Sequence, residues 1–209
     1  MPHLVEIGWP IYMRPVADPP LEFPNRDQLM LRDNLTVVRV GAIYTVERDE
    51  GGGSRTVATS YAVPLPAPIK VNSRYGYRTD PVTGKKGALH AGIDFAARTG
   101  TPVFSCTRGT VYRVDQAGVG SGVNNGNCVI VNDGEGKLWY YMHLSRVLVR
   151  KGEAIRPGAQ LGLSGATGKV SGPHLHVQIV DANGQKSYDP WPLLAGVIEA
   201  ANRRAGAQV

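Results

Sequence analysis

The sequence is poor in cysteine and has no long apolar run. Its only two cysteines, Cys106 and Cys128, do not form a CxxC pair. A structural zinc site needs four clustered ligands, so a cysteine-based one is not expected. Buried free thiols are the first expectation for the pair, and a disulfide between neighbouring strands is the alternative. No stretch of about 18 apolar residues occurs, so no transmembrane helix is expected. The opening segment "MPHLVEIGWPIYMRPVADPP" lacks a basic stretch followed by an apolar one, so no secretory signal is expected there. Blocks of Arg and Lys interleaved with aromatics are also missing, and no nucleic-acid motif is present. HExxH is absent, which excludes the helical zincin arrangement.

Among the 209 residues are 26 glycines and 15 prolines, and 42% are hydrophobic. That is enough apolar material for a core, cut into short pieces by turn formers. Charge is uneven. Residues 1–65 hold 6 Lys/Arg and 8 Asp/Glu, whereas residues 66–209 hold 17 and 9, which makes the second region net positive. Such a surface attracts polyanions, an anionic cell wall among them.

Residues 1–25 read as an extended proline-rich arm. The alternation on either side of "DEGGGS" predicts a β-hairpin with a flexible tip. "PLPAPIK" (64–70) reads as a stiff linker, and a boundary is placed beside it: an N-terminal extension at 1–65, a main domain at 66–195 and a C-terminal tail at 196–209. Beyond residue 70, short alternating runs such as "NCVIVND", "KLWYYMHL" and "HLHVQIVD" predict a mainly β, antiparallel domain. A helical period appears only in "PLLAGVIEAANRRA" (192–205). "QAGVGSGVNNGN" (116–127) is too rich in Gly and Asn for a strand or helix and reads as a long loop walling a site.

Four of the five histidines fall in the second region. In "LHAGIDFAA", His90 and Asp94 are expected in a loop entering a strand, with a turn at Gly92 bringing their side chains together. In "PHLHV", strand alternation puts His174 and His176 on one face, with Leu175 and Val177 on the other. Two neutral imidazoles on one strand face are half of a zinc site. His143 in "YYMHLS" is unremarkable alone. Together these five groups suffice for three metal ligands and two proton carriers. Other HxH architectures fit poorly: amidohydrolase barrels are much longer, and the glutamate that follows in cupins is missing.

These motifs and their frames resemble the M23 family of zinc peptidases, the lysostaphin-type peptidoglycan endopeptidases. "SRYGYRTDPVTGKKGALHAGIDFAARTGTPVFS", "GNCVIVNDGEGKLWYYMHLS", "VRKGEAIRPGAQLGLSGATGKVSGPHLHVQI" and "YDPWPLL" follow the family's blocks in order, over about residues 70–195. The resemblance implies a small lysostaphin-like antiparallel β domain with its site on the floor of a groove. It implies Zn2+ as cofactor, with His90, Asp94 and His176 as ligands. His143 and His174 correspond to the two non-ligand catalytic histidines, His143 leaning toward general base and His174 toward oxyanion stabilisation. Family members that activate amidases have lost ligands, whereas all five positions are filled here. In latent members a segment blocks the zinc, and Asn72 or His3 are the candidates in this chain.

The implied function is hydrolysis of peptide bonds in peptidoglycan. The "DPVTGKK…HAGID" form favours D,D-endopeptidase action on D-Ala–diaminopimelate crosslinks. Glycine-bridge cleavage and a non-catalytic wall-binding module are the alternatives. With no visible signal, action at the cell wall or periplasm implies delivery by a non-classical secretion system or a phage particle, as for an antibacterial effector. Partners would then be peptidoglycan, an immunity or inhibitor protein, and the secretion or phage machinery. No nucleic acid is expected.

Overall fold

The computed structural model describes residues 61–206, together with the backbone of three strands nearer the N-terminus. Those strands are β1 (Val37–Arg39), β2 (Ala42–Arg48) and β3 (Ser54–Ala58), paired antiparallel in the order β1-β2-β3. Arg48 faces Ser54, so the hairpin predicted around "DEGGGS" is present, and its tip lies outside the described residues. The proline-rich arm at 1–25, with His3, also lies outside them.

The rest of the chain is built on one large sheet. Its strands are β4 (Val71–Ser73), β7 (Gly92–Ala96), β9 (Gly109–Asp115), β10 (Asn127–Asn132), β11 (Lys137–Leu144), β13 (Ala154–Ile155), β15 (His174–Asp181) and β16 (Ser187–Tyr188). They run in the order β13-β9-β10-β11-β15-β7-β4, with β16 beside β15, and every pairing is antiparallel. A second sheet joins β12 (Arg146–Val147), β14 (Gln160–Leu163) and β8 (Pro102–Phe104). A two-stranded ribbon joins β5 (Gly76–Arg78) to β6 (Ala88–His90). This is the mainly β, antiparallel architecture that the sequence predicts.

Local chemistry explains the turns. Between β10 and β11, Asn132 Oδ1 accepts the Gly134 N–H at 2.9 Å, and Asp133 Oδ1 accepts those of Glu135 and Lys137. Such side-chain-to-backbone bonds mimic a turn and fix the hairpin register. Strand alternation then sorts the large sheet into two faces. One carries Phe95, Trp139, Tyr141, Leu175, Val177 and Ile179, all fully buried in the main core. Each such side chain contributes about 1.5–3 kcal/mol by leaving water. Val103 of β8 and Leu161 of β14 complete this core.

Helix α2 (Trp191–Gly206) covers the remainder. Asp189 Oδ1 accepts the Trp191 N–H at 2.9 Å, at the helix start, and Leu194, Val197 and Ile198 form its buried stripe. Asn202 clamps the Ile69 backbone, accepting its N–H at 2.6 Å and donating to its carbonyl at 2.8 Å. The segment read as a stiff linker therefore lies against the core. Leu65 and Ile69 are buried, and the Pro64 carbonyl accepts the Phe104 N–H.

The segment at 116–127 departs from expectation. It contains a one-turn helix, α1 (Gly122–Asn125), and is tied down on both sides. Asn127 Oδ1 accepts the Ala117 N–H at 2.9 Å, and Ser121 Oγ donates to Asp115 Oδ2 at 2.7 Å. Asp115 is in turn held by Arg113 Nε at 2.7 Å. Short polar side chains supply the order that an apolar pattern would otherwise signal.

Cys106 and Cys128 are both free and buried, in separate clusters. No disulfide joins them.

Candidate metal centre

All five predicted groups come together on the face of the large sheet opposite the main core. Asp94 on β7 lies directly across from His176 on β15. His174 shares the face two residues earlier, and Leu175 and Val177 point into the core, as alternation requires. His90 and Asp94 are not in a loop. His90 ends β6 and Asp94 sits in the middle of β7, the two strands being separated by Ala91. Gly92 makes no turn. A Cβ there would sit 2.6 Å from His176 Nε2 and collide with the Val177 carbonyl, so glycine is required for strand β15 and its imidazole to approach.

His143 reaches the site differently. Met142 pairs with His176 and so occupies the site face, and strict alternation would then send His143 into the core. However, β11 bulges here: Tyr141 faces Val129 and Leu144 faces Asn127, leaving two residues of β11 opposite Cys128. His143 has φ +64°. The bulge re-aims its ring, which lies 4.8 Å from that of His174 and 6.0 Å from that of His176, centroid to centroid.

Three donor atoms converge. His176 Nδ1 is 2.7 Å from Asp94 Oδ1, His90 Nε2 is 3.1 Å from that oxygen, and the two imidazole nitrogens are 3.2 Å apart. This His-Asp-His group is a metal-binding arrangement by geometry, and all three residues are buried.

The outer hydrogen bonds fix the tautomers. His90 Nδ1 bonds the Arg74 carbonyl at 2.7 Å, His174 Nδ1 that of Gly172 at 2.9 Å and His143 Nδ1 that of Thr167 at 3.0 Å. A carbonyl only accepts, so each Nδ1 carries the proton and each neutral ring leaves its lone pair on Nε2. His176 is reversed: Nε2 faces Gln178 Oε1 at 3.4 Å and Nδ1 faces the site. Lone pairs packed this closely around a carboxylate oxygen repel one another unless a cation lies among them. The donor set therefore fits a divalent ion of the zinc type, which takes imidazole and carboxylate ligands and tolerates an open position.

Protonation states agree. Burial raises the Asp94 carboxyl, but His176 and His90 outweigh it: with no cation between them, a protonated ring donates to Oδ1 where a neutral ring would offer a metal its lone pair, and the carboxyl is held well below the usual carboxylate range. Asp94 is an anion at neutral pH. Arg78 holds its second oxygen, Nη2 to Oδ2 at 3.1 Å. Burial, reinforced by His174, pushes the His143 imidazole down to about 4, so it is neutral at pH 7.

Arg78, Thr167 and Gln178 were not singled out from the sequence, because each acts through contacts made only by the fold. Asn72, a candidate blocking ligand, is exposed on β4.

An antiparallel sheet that gathers a His-Asp-His donor set, with two further imidazoles beside it, has the groups that a metal-dependent hydrolase site requires. Residues 88–190 match the model of peptidase family M23. The chain is 37% identical over 118 residues to the peptidoglycan DD-endopeptidase ShyA of Vibrio cholerae, covering 56% of this chain and 26% of that one. It is also 37% identical over 122 residues to lysostaphin of Staphylococcus simulans, covering 57% and 24%. The chain thus spans about a quarter of the length of these two relatives. The crystal structure of lysostaphin's catalytic domain superposes with a TM-score of 0.53 at 29% identity, over 61% of this chain and 92% of that one. A zinc-containing peptidase from Vibrio cholerae gives 0.55 at 28% identity, over 70% and 45%.

Proposed function

We propose that this chain is a zinc-dependent endopeptidase that hydrolyses peptide bonds in peptidoglycan, acting on D-Ala–diaminopimelate crosslinks. One observation carries the reading: a carboxylate oxygen and the lone pairs of His90 and His176 meet at one point, with two neutral imidazoles beside it. The similarity to ShyA supports the crosslink as substrate. Equal identity to lysostaphin supports the second reading, cleavage of glycine bridges.

His90 Nε2, Asp94 Oδ1 and His176 Nδ1 would hold the ion, and Arg78 keeps the Asp94 carboxylate in place. A zinc ion bound there supplies a Lewis acid that lowers the pKa of water toward 7 and polarises the scissile carbonyl. The chain's own groups move the protons. His143 Nε2 bears a lone pair and takes the proton of the attacking water. His174 Nε2 lies 3.6 Å from Asp94 Oδ1, at the margin of the donor set. Once protonated from solvent it donates to the oxyanion, and the His143 imidazolium gives the proton taken from water to the leaving amine.

The catalytic unit is proposed as residues 66–195, carrying an N-terminal extension at 1–65. Action at the cell wall, reached by a secretion apparatus or a phage particle and restrained by an immunity protein, remains part of the proposal. The deciding experiment is mass spectrometry of sacculi digested by the zinc-loaded chain. Loss of D-Ala–diaminopimelate crosslinks is expected. Products cut only within glycine bridges would establish the second reading, and no new amine from either wall chemistry would refute both.

A further inference from the structure

The φ of His143 is +64°, and among the described residues it alone adopts positive φ without being glycine. A histidine keeps that conformation only where its surroundings hold it. Two residues do so. The carbonyl of Leu144, the next residue, accepts hydrogen bonds from Thr167 Oγ1 at 2.8 Å and Asn127 Nδ2 at 2.9 Å. Thr167 Oγ1 also accepts the Asn127 backbone N–H at 3.0 Å. The Thr167 carbonyl takes the His143 Nδ1–H at 3.0 Å. One threonine thus fixes the backbone beside His143 with its hydroxyl and the ring with its carbonyl.

Thr167 occupies this place because its loop is pressed against the wall segment 122–126. Lys169 N–H donates to the Asn124 carbonyl at 2.9 Å. Gly126 and Gly168 face each other so closely that a Cβ on either would strike the other's loop, and both have positive φ.

We propose that Thr167, assisted by Asn127, is the positioning residue that holds His143 in its bulged conformation and Nδ1–H tautomer, coupling the wall segment to proton transfer. This rests on the hydrolytic reading above. It differs from a bracing role, which would alter stability without selecting one kinetic constant.

The test uses the zinc-loaded full chain and the variants Thr167→Val, Thr167→Ser and Asn127→Ala. Measured are kcat and KM on crosslinked muropeptides, zinc content, and the His143 ring signals in long-range 1H–15N NMR. Thr167→Val is expected to lower kcat about 10–100-fold. KM should stay within about twofold and zinc at one per chain, the pattern of a group that acts in the transition state. Thr167→Ser keeps the hydroxyl and should stay within about threefold of wild type. Asn127→Ala should show a smaller fall of the same kind. Wild-type kcat in Thr167→Val, or equal loss in Thr167→Ser, would overturn the proposal. If Thr167→Val does not fold, an unchanged kcat in Asn127→Ala overturns it. If the wild-type chain cuts no substrate, the hydrolytic reading fails. The NMR then decides the positioning role: a His143 tautomer signature unmoved by Thr167→Val would end it.

Discussion

The two faces of strand β15 differ by one residue step and by everything else. Leu175, Val177 and Ile179 are fully buried among aromatic and aliphatic neighbours. His174, His176 and Gln178, on the other face, line a site where nearly every polar atom has a named partner. The core face tolerates rearrangement at an energetic cost. The site face tolerates none, because a displaced nitrogen lone pair no longer meets the others. One face sets stability and the other sets chemistry, so neighbouring substitutions should separate the two.

Asp94→Ala should break the site face most completely. It removes the anion at the centre of the donor set, and zinc content by mass spectrometry and activity should both fall to background while circular dichroism remains native. His143→Ala should keep its zinc and still lose about 10²–10⁴-fold in activity, measured as amine release. Equal zinc loss in both variants would contradict the division of roles. Leu175→Ala, between the two site histidines, should do the reverse. It should cost about 2–5 kcal/mol in denaturant unfolding, yet leave the folded fraction able to bind zinc.

A subtler difference appears with pH in the metal-free chain. The His143 imidazole is pushed down to about 4 from 6.5, so the unfolded chain binds its proton first as pH falls. Stability should therefore drop between about pH 6.5 and pH 4 by up to about 3 kcal/mol from this group. His143→Gln should flatten that slope in urea melts at several pH values. The smallest effect should come from the two thiols. Burial pushes Cys106 up to about 12 and raises Cys128 as well. Neither should react with iodoacetamide in the native state, and both should react once the chain is unfolded, as read by intact mass.

Strand alternation made the pairing of His174 with His176 legible, along with the apolar identity of the face between them. It misled at His143, where a bulge and a positive φ override a period of two. Nothing in "YYMHLS" signals that bulge, because its cause lies with Asn127 and Thr167, 16 and 24 residues away. "HAGID" was read correctly as a meeting point and wrongly as a turn. Gly92 is needed for clearance from a strand more than eighty residues later, a demand that local pattern does not carry. The segment at 116–127 looked structureless because its order comes from side-chain caps and close glycine contacts. Arg78 escaped notice for the same reason: an arginine in a turn-rich stretch is ordinary until the fold sets it against Asp94.

The pairing of Asp94 with His176 joins positions 82 residues apart. During synthesis, His90 and Asp94 leave the ribosome long before the strand that completes the site, and helix α2, which closes the core, comes later still. A fragment that stops before residue 174 carries two of the three donors and lacks the HxH strand, which joins β11 to β7 in the large sheet. The order of the chain thus acts as a timer, and the cutting centre assembles only after nearly all of the domain exists.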